Sequence, residues 1–381
     1  MQNYTIIVVE PNENSRAIIS AYLDEMGFSS NAFYFQTLSD GVNKLKEAGE
    51  NSLIIFDIAD INLSNREILE EIKFHTRKIL ITSADYSTDT IIKALRAGAK
   101  EFLPKPVIKE DLKRVIPALI NWSDSDSTLS KIITAYSNKG GIGKTTIAVN
   151  LAAELARTTK NKVALVDLNL QLGDVSTFLN LNPVVDVNYV IKKLAEKEEQ
   201  VLINSFEKYK DSSLYVLADP SYIEQAESIT PQQISVLFKA LKKVFPYIIV
   251  DMSSNIEPTS LKILDESDFI MFTTIVNIPA IRNSQRCLNL FNSRRYPKDK
   301  VKVVINRYMD NDEIKIEDIE NTIGQKVYWK LPNNYFTIME AVNKGVSISE
   351  VNPNSNICSS FRELAAKISD EIIEEAVIQY R

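Results

Sequence analysis

The sequence contains the stretch Ser137-Asn-Lys-Gly-Gly-Ile-Gly-Lys-Thr-Thr146, which follows the apolar run Lys131–Tyr136 and leads into a helical pattern at Ile147. A buried strand, a glycine-rich turn and a helix N-terminus in this order form a cradle for phosphate groups, because backbone N–H groups and the positive helix end point at the anion. Three glycines let the backbone approach the phosphates: Gly140, Gly141 and Gly143. The stretch therefore predicts a nucleotide-phosphate site.

Two lysines stand in this loop, Lys139 and Lys144. Lys144 takes the place of the phosphate lysine in the pattern GxxxxGK[ST], and the hydroxyl of Thr145 is expected to contact Mg²⁺. Asn138 replaces the first glycine of the strict pattern, and asparagine tolerates left-handed backbone better than most residues. The predicted phosphate-binding residues are Lys139, Gly140, Gly141, Ile142, Gly143, Lys144, Thr145 and Thr146.

The composition bounds the class of protein. The length of 381 residues indicates two or three domains. The formal net charge of −6 indicates no electrostatic preference for nucleic acid. No apolar run approaches the roughly 20 residues of a membrane span, and the N-terminus does not resemble a signal peptide. The chain is expected to be a cytoplasmic protein without direct membrane insertion. Cys287 and Cys358 have no metal-binding spacing and are predicted to be buried thiols, and the single histidine, His75, argues against histidine-based catalysis.

Alternating strands and helices predict two α/β domains in series, with mostly parallel sheets covered by helices on both faces. The Ser/Asp-rich segment 122–130 is the predicted linker between an N-terminal domain, 1–121, and a C-terminal domain, 131–381. Predicted strands of the N-terminal domain are Thr5–Val9, Leu53–Phe56, Ile79–Thr82 and Glu101–Leu103. Those of the C-terminal domain, besides Lys131–Tyr136, are Val163–Val166, Leu214–Leu217, Tyr247–Val250, Phe269–Ile275 and Val301–Ile305.

Four polar side chains follow strands of the N-terminal domain: Glu10, Asp57, Ser83 and Lys105. The carboxyl ends of parallel strands meet at one crevice, so these groups are expected to lie together at a site that could accept a phosphoryl group. Residues 1–120 resemble the receiver domain of response regulators, a flavodoxin-like fold, most specifically over Ile91–Pro106. The resemblance implies that Asp57 is the phosphoacceptor, Ser83 the switch hydroxyl and Lys105 the associated lysine.

The same stretch departs from the receiver pattern where a metal would bind. Receivers carry an acidic pair after the first strand, whereas this chain has Glu10-Pro11, and the usual proline and glycine after the phosphoacceptor are Ile61 and Asn65. Loss of one acid weakens a Mg²⁺ site. We therefore expect a degenerate receiver that serves protein contacts, although a phosphorylation-regulated signalling ATPase remains the alternative.

Residues 131–381 resemble the MinD/ParA superfamily with its deviant Walker A motif, KGGxGKTT. In that superfamily the extra lysine, here Lys139, reaches the nucleotide of a second subunit, so the resemblance implies a homodimer that sandwiches ATP. It implies catalytic roles for Lys139, Lys144 and Asp167. It also implies Mg²⁺ ligation by Thr145, Asp251 and Asp167, and contacts to adenine or its pocket from Asn306, Arg307 and Pro332.

One position of the superfamily's DxD pair is altered. Asn169 stands where the second aspartate orients the attacking water. An amide cannot accept a proton from water or supply a negative charge. The sequence therefore predicts ATP binding with slow hydrolysis.

A receiver-like domain fused to such an ATPase resembles the CpaE/TadZ family, which localises the assembly machinery of Flp (Tad) pili, usually at a cell pole. A DNA-segregating ParA would need a basic surface, and a MinD-like membrane ATPase would end in a basic amphipathic helix. Here the C-terminal apolar stripe is predicted to pack in the core: Phe361, Leu364, Ala365, Ile368 and Ile372. A ParA/MinD-type positioning ATPase for another cargo stays open as an alternative.

Overall fold

A computed structural model describes residues 4–49, 51–60, 66–76, 78–120, 130–196 and 201–379. They form two compact units, residues 1–126 with 373–381 and residues 127–372. Ile61, Asn65 and residues 122–129 of the predicted linker lie outside the described residues. Ser130, the last residue of that linker prediction, is buried, and its hydroxyl donates a 2.6 Å hydrogen bond to the carbonyl oxygen of Phe245.

The first unit contains a five-stranded parallel sheet in the order β2-β1-β3-β4-β5. Its strands are β1 Thr5–Val9, β2 Ala32–Phe35, β3 Ser52–Asp57, β4 Ile79–Ser83 and β5 Glu101–Pro104. Its helices are α1 Glu13–Glu25, α2 Leu38–Ala48, α3 Arg66–His75, α4 Thr88–Arg96 and α5 Lys109–Ile120, with a 3₁₀ turn at Ile58–Asp60. Apolar side chains of β1, β3 and β4 are buried on both faces of the sheet, as continuous apolar strands require.

The second unit is built on an eight-stranded sheet in the order β13-β12-β11-β6-β10-β7-β9-β8. The short β8 pairs antiparallel to β9, and the other pairings are parallel. Its strands are β6 Lys131–Tyr136, β7 Val163–Leu168, β8 Glu207–Lys208, β9 Leu214–Leu217, β10 Tyr247–Met252, β11 Phe269–Ile275, β12 Val301–Tyr308 and β13 Val327–Pro332.

Helices cover both faces of this sheet. They are α6 Lys144–Thr159, α7 Val175–Phe178, α8 Val187–Ala195, α9 Val201–Asn204, α10 Ile223–Ala226, α11 Pro231–Lys242, α12 Pro258–Glu266, α13 Ile278–Ser293, α14 Ile316–Ile323, α15 Tyr335–Lys344, α16 Ile348–Val351 and α17 Asn356–Gln379. Ile248 and Val250 of β10 join one apolar cluster, while Tyr247 and Ile249 join the cluster on the opposite face. The five residues of the C-terminal stripe are buried in the second cluster, as predicted.

The predicted fold class is confirmed, and every predicted strand is present with bounds that differ by at most three residues. Three strands escaped prediction: β2, β8 and β13. Parallel pairing places the carboxyl ends of β6, β7, β10 and β12 at one edge of the sheet. Within the described ranges, no helix is both long and apolar enough to span a membrane.

Candidate nucleotide-binding site

The loop after β6 has the backbone of a phosphate cradle. Gly141 and Gly143 have φ angles of 74° and 98°, in the left-handed region that favours glycine. A side chain at Gly143 would also collide with the amide nitrogen of Asn306. Helix α6 begins at Lys144 without a hydrogen bond from a capping side chain, so its first N–H groups could bind an anion.

Lys144 is oriented by a neighbouring loop of the sheet edge. Its Nζ donates a 2.8 Å hydrogen bond to the hydroxyl of Ser254, two residues past the end of β10. Burial lowers the pKa of Lys144, and the nearby Asp251 carboxylate only partly offsets this effect. A phosphate group would supply the negative charge that this partly desolvated ammonium lacks. Ser254 was not identified from the sequence, because it follows an ordinary strand end without a motif of its own.

Thr145 and Asp251 form the pair that suits a divalent cation. The Thr145 hydroxyl donates a 2.6 Å hydrogen bond to Oδ2 of Asp251, while the buried Oδ1 has no hydrogen-bond partner among the described residues. Burial is the main cause that raises the pKa of Asp251. An orphaned carboxylate oxygen beside a hydroxyl is a donor set that Mg²⁺ accepts. No group of three His, Cys, Asp or Glu side chains in the described ranges forms a metal site, so such an ion would also need oxygens from nucleotide or water.

Asp167 lies opposite Asp251 in the β7–β10 register. Both of its carboxylate oxygens accept backbone N–H groups of its own loop, Oδ1 from Asn169 at 3.0 Å and Oδ2 from Val175 at 3.1 Å. Burial, followed by the charges of Asp251 and Asp219, raises the pKa of Asp167 well above its ordinary value. Asp167 therefore lies beside Asp251, the other predicted metal-binding carboxylate. In this structure its two hydrogen bonds stabilise the loop that follows β7.

The side chain of Asn169 is turned into its own loop. Its Nδ2 donates to the carbonyl oxygen of Leu172. A further carboxylate beside this loop belongs to Asp219, which accepts a 3.1 Å hydrogen bond from the Gly173 N–H. Gly173 lies between Asp219 and Asp167, since a side chain there would collide with both carboxylates. Sequence reasoning missed Asp219; the available signal was an acid that follows the apolar strand β9.

The second lysine, Lys139, is half-buried, and its Nζ has no hydrogen bond or ion pair with the part of the chain that the structure describes. The backbone N–H of Lys139 donates to the Ser137 hydroxyl at 3.2 Å. The prediction that Asn138 replaces a glycine in left-handed backbone is wrong, because Asn138 does not adopt this conformation. Its amide instead donates a 2.7 Å hydrogen bond to the carbonyl oxygen of Asn283 in α13, which a glycine could not do.

Two residues at the end of β12 form hydrogen bonds to the phosphate loop that follows β6. Asn306 Nδ2 donates to the Ile142 carbonyl at 2.7 Å, and the Arg307 guanidinium donates to the Gly141 carbonyl at 2.9 Å. Pro332 ends β13, and the following Asn333 N–H donates to the Tyr308 carbonyl. The structure thus brings Asn306 and Arg307 to the phosphate loop. Their contact with adenine, and that of Pro332, stays a prediction.

The first unit has a separate polar cluster at its sheet edge. The ammonium of Lys105 pairs with Glu10 at 2.6 Å and with Asp57. Burial alone would lower the pKa of Lys105, but its hydrogen bonds to Asp57 and Glu10 raise it overall. Ser83 follows on the adjoining strand, where its hydroxyl accepts the Asp85 N–H at 3.0 Å.

All four carboxylate oxygens of this cluster are engaged. Glu10 Oε1 accepts the Asn12 N–H at 3.0 Å and Asp57 Oδ1 accepts the Ala59 N–H at 2.7 Å, while Lys105 takes the other two oxygens. Together with a proline after Glu10, this arrangement weakens a site for a divalent cation, because the cation would compete with the Lys105 ammonium for both carboxylates. The structure brings the predicted receiver residues together, and each carboxylate oxygen of Glu10 and Asp57 already has one partner.

Comparison with known proteins finds a family match for each of the two units. Residues 133–348 match the family model of the CobQ/CobB/MinD/ParA nucleotide binding domain, and residues 6–117 match the response regulator receiver domain. The chain is 29% identical over 251 residues to the septum site-determining protein MinD of Thermotoga maritima, covering 64% of this chain and 89% of that relative. It is 25% identical over 261 residues to MinD of Bacillus subtilis, covering 66% and 93%.

Solved structures show the same fold. The ParA family ATPase from Chlorobium tepidum TLS superposes with a TM-score of 0.59 at 24% identity, covering 62% of this chain and 99% of the other. MinD from Pyrococcus horikoshii OT3, complexed with Mg-ADP, superposes with a TM-score of 0.55 at 19% identity, covering 63% and 96%. At these identities the likeness concerns the fold alone.

Proposed function

Because the chain belongs to the CobQ/CobB/MinD/ParA nucleotide-binding family, we propose that it is an ATP-dependent, dimeric localisation protein that recruits the assembly machinery of Flp (Tad) pili at a cell pole. The observation that carries the proposal is the combination of two domains. A receiver domain precedes an ATPase domain whose phosphate loop holds a second lysine, Lys139, with no ion pair among the described residues. Either domain alone would leave the function open.

The backbone of the phosphate loop suits an anion. The glycine backbone and the start of α6 direct N–H groups at an anion, and Lys144 adds a positive charge. Thr145 and Asp251 would hold Mg²⁺, which neutralises phosphate charge when bound. Asn306 and Arg307 stabilise the loop through its carbonyl oxygens.

Slow hydrolysis follows from the side chains near the phosphate loop. Asn169 supplies no carboxylate, and its amide is hydrogen-bonded to Leu172. Both oxygens of Asp167 accept N–H groups of the same loop. Since both side chains are engaged in hydrogen bonds within their own loop, neither orients an attacking water, and bound ATP would persist. A dimer that lasts as long as its ATP could mark a position in the cell.

The receiver contributes contacts rather than a phosphorylation switch in this proposal. The carboxylates of Asp57 and Glu10 already share the Lys105 ammonium, and each accepts a backbone N–H group. A surface that does not depend on phosphorylation is then available to pilus proteins at all times.

The test is localisation in living cells that assemble Flp pili. A fluorescent fusion of the full chain should form a polar focus and support pilus assembly, whereas Lys144→Ala should be diffuse and leave the cells without pili. An exposed-site control, Lys239→Ala, should behave as wild type. Normal pili in cells that carry only Lys144→Ala would refute the role.

A second candidate is a positioning ATPase for another cargo. It is favoured by the relatives, since the named similar proteins are septum site-determining proteins. In that case the fusion would gather at the division site, and loss of the protein would change cell division while pili form normally. The same imaging experiment therefore separates the two functions.

A further inference from the structure

Strand β2 forms one edge of the five-stranded sheet and pairs only with β1 among the described residues. It belongs to the first unit, whereas the residues of the candidate nucleotide site belong to the second. An edge strand exposes unpaired backbone N–H and C=O groups, which can pair with a strand of another chain. Folded proteins block such edges with charged side chains, proline or bulges. The residues of an edge strand therefore indicate whether it is blocked or open.

The other three edge strands of the two described sheets, β5, β8 and β13, carry such blocking residues. Each has a charged side chain, and two end in proline: Glu101 and Pro104 in β5, Lys330 and Pro332 in β13, Glu207 and Lys208 in β8. The sequence of β2 is Ala-Phe-Tyr-Phe, and the run around it without charge or proline extends over residues 26–39. Aromatic residues favour strands. β2 is therefore an open edge with a high preference for strand structure.

The pairing with β1 determines which backbone groups of β2 are free. The Glu10 N–H donates a 3.0 Å hydrogen bond to the Phe35 carbonyl, so the backbone groups of Phe35 face β1. Because successive residues of a strand direct these groups to opposite sides, those of Phe33 also face β1, whereas those of Ala32 and Tyr34 face the open side. The N–H and C=O groups of Ala32 and Tyr34 have no backbone partner among the described residues. β2 thus offers two donors and two acceptors to another strand.

The side chains of β2 leave room for a close approach. Phe33 is 36% exposed, and the Lys44 ammonium lies 4.4 Å from the centroid of its ring. Lys44 is paired with the Glu47 carboxylate at 2.8 Å. Ala32 and Tyr34 pack against the apolar cluster on the other face of the sheet. The open edge therefore has a partly exposed phenyl ring beside it, and the cation next to that ring is already paired.

We propose that β2 pairs antiparallel with β2 of a second copy of this chain, so that two five-stranded sheets join into one. Two identical strands related by a twofold axis are self-complementary in this arrangement. The register that engages all the free groups places Ala32 opposite Tyr34 of the other copy, and Phe33 opposite the same residue of the other copy. Phe33 then occupies a non-hydrogen-bonded pair, where side chains are closest, and the two rings cover each other.

Two features favour a second copy over a strand of another protein. The strand is uncharged, so two copies of β2 meet without the repulsion of like charges placed opposite each other. The other feature rests on the proposed function, because dimerisation through ATP would hold a second receiver domain at a high effective concentration. Four hydrogen bonds and one aromatic pair form a contact much smaller than the about 1,200 Å² of a stable interface. The pairing is therefore expected to be weak between free monomers.

Disulfide cross-linking of the full chain tests the register. Phe33→Cys places two thiols opposite each other, whereas Phe35→Cys places them roughly 14 Å apart along the strands, too far for a disulfide. Phe74→Cys measures random collision, since Phe74 is 82% exposed at the end of α3. Under mild oxidation, Phe33→Cys should form covalent dimers at least about 10-fold faster than either control. Wild type should form none, because Cys287 and Cys358 are buried. Equal rates for Phe33→Cys and Phe74→Cys would overturn the proposal.

Charge substitutions test whether residue 33 faces itself. Phe33→Lys and Phe33→Glu should each weaken self-association without nucleotide by at least about 10-fold, because like charges then lie opposite each other. An equal mixture of the two variants should associate at least as tightly as wild type, since a lysine then faces a glutamate. Phe74→Lys, the matched control, should behave as wild type. Sedimentation at high protein concentration measures association, and melting curves establish that the variants are folded. A mixture that associates no better than its components would contradict the proposed register.

The Lys144→Ala background separates this contact from the nucleotide-dependent dimer. In that background Phe33→Cys should still cross-link at least about 10-fold faster than Phe74→Cys. If ATP fails to dimerise the wild type while this selectivity persists, the proposed function is wrong and the β2 contact stands. If ATP dimerises the protein while the two cysteine variants cross-link at equal rates, the β2 contact is wrong and the proposed function stands.

Discussion

The hydroxyl of Thr145 donates a 2.6 Å hydrogen bond to one oxygen of Asp251, and the other oxygen of this buried carboxylate has no partner among the described residues. Burial, the largest effect, raises the pKa of Asp251 from 3.8 to about 6. The neutral carboxyl therefore contributes stability that is complete below pH 3.8 and is lost as the pH rises through about 6. The protein without ligand is expected to be less stable at pH 8 than at pH 5.

Asp251→Asn removes this loss, because an amide stays neutral and can still accept from Thr145. At pH 8 the variant should gain about 1–3 kcal/mol in free energy of unfolding, which corresponds to several degrees in Tm, and at pH 5 the gain should nearly vanish. The same variant should lose Mg²⁺-dependent ATP binding. Thermal melts at both pH values measure the effect, with Asp211→Asn as the exposed-carboxylate control. A gain of equal size at pH 5 would show that ionisation of Asp251 is not its cause.

Lys144→Ala tests the phosphate cradle. Wild type should be stabilised by ATP and Mg²⁺, by about 2.7 kcal/mol when the ligand is at 100 times its Kd. The variant should show little shift, since no other described side chain places an ammonium beside Ser254. Melting with and without nucleotide gives the result, and Lys239→Ala serves as control. If the variant shifts as much as wild type, the cradle is not where ATP binds.

Asn169→Asp tests the cause of slow hydrolysis. A carboxylate can position and polarise water, so turnover should rise at least about 10-fold. The substitution also removes the donor to the Leu172 carbonyl, so Asn169→Ala is needed as a control that removes this bond without adding charge. Phosphate release is the measurement. Equal rates in both variants would attribute any gain to loosening of the loop, and a fast wild type would show that another group positions water.

The cluster of Glu10, Asp57 and Lys105 is expected not to respond to phosphoryl analogues. Beryllofluoride with Mg²⁺ should leave the melting curve of wild type unchanged, because Lys105 and backbone N–H groups occupy the oxygens of Glu10 and Asp57. Pro11→Asp restores the acidic pair and should produce a Mg²⁺-dependent upward shift. Asp40→Asn, on the exposed N-terminal turn of α2, is a control for altered surface charge. Stoichiometric phosphate on Asp57 of wild type, detected by mass spectrometry after acetyl phosphate treatment, would contradict the prediction and support a signalling role.

Features of the fold and of the candidate site were predictable from the sequence where the residues that form them are close together along the chain. The phosphate loop was readable because its strand, glycines and helix are contiguous, and the central strands because they are continuous apolar runs. The edge strands β2 and β13 were missed; β2 is a short run of four residues, and Lys330 interrupts the apolar residues of β13. The reason for Asn138 could not be found locally, because its partner Asn283 is 145 residues away. Asp219 and Ser254 likewise join the site only through the order of strands in the sheet.

The role of Lys139 distinguishes a nucleotide-binding monomer from a homodimer that forms around ATP. Its ammonium has no partner among the described residues, although the neighbouring Lys144 is held by Ser254. If Lys139 contacts the phosphates of a facing subunit, nucleotide binding and dimerisation stabilise each other by linkage. Lys139→Ala should then retain the thermal shift with saturating ATP, while ATP-dependent dimerisation weakens at least about 10-fold.

Sedimentation of wild type, Lys139→Ala and Lys144→Ala, each with and without ATP and Mg²⁺, measures this difference. Lys144→Ala should lose both the thermal shift and the ATP-dependent dimer, whereas Lys139→Ala should lose only the dimer. That separation assigns Lys144 to the nucleotide of its own subunit and Lys139 to the nucleotide of the partner, because an isologous contact places each Lys139 beside the nucleotide of its partner. If Lys139→Ala dimerises with ATP as wild type does, its ammonium acts within its own subunit, and the long-lived dimer needs another source of stability.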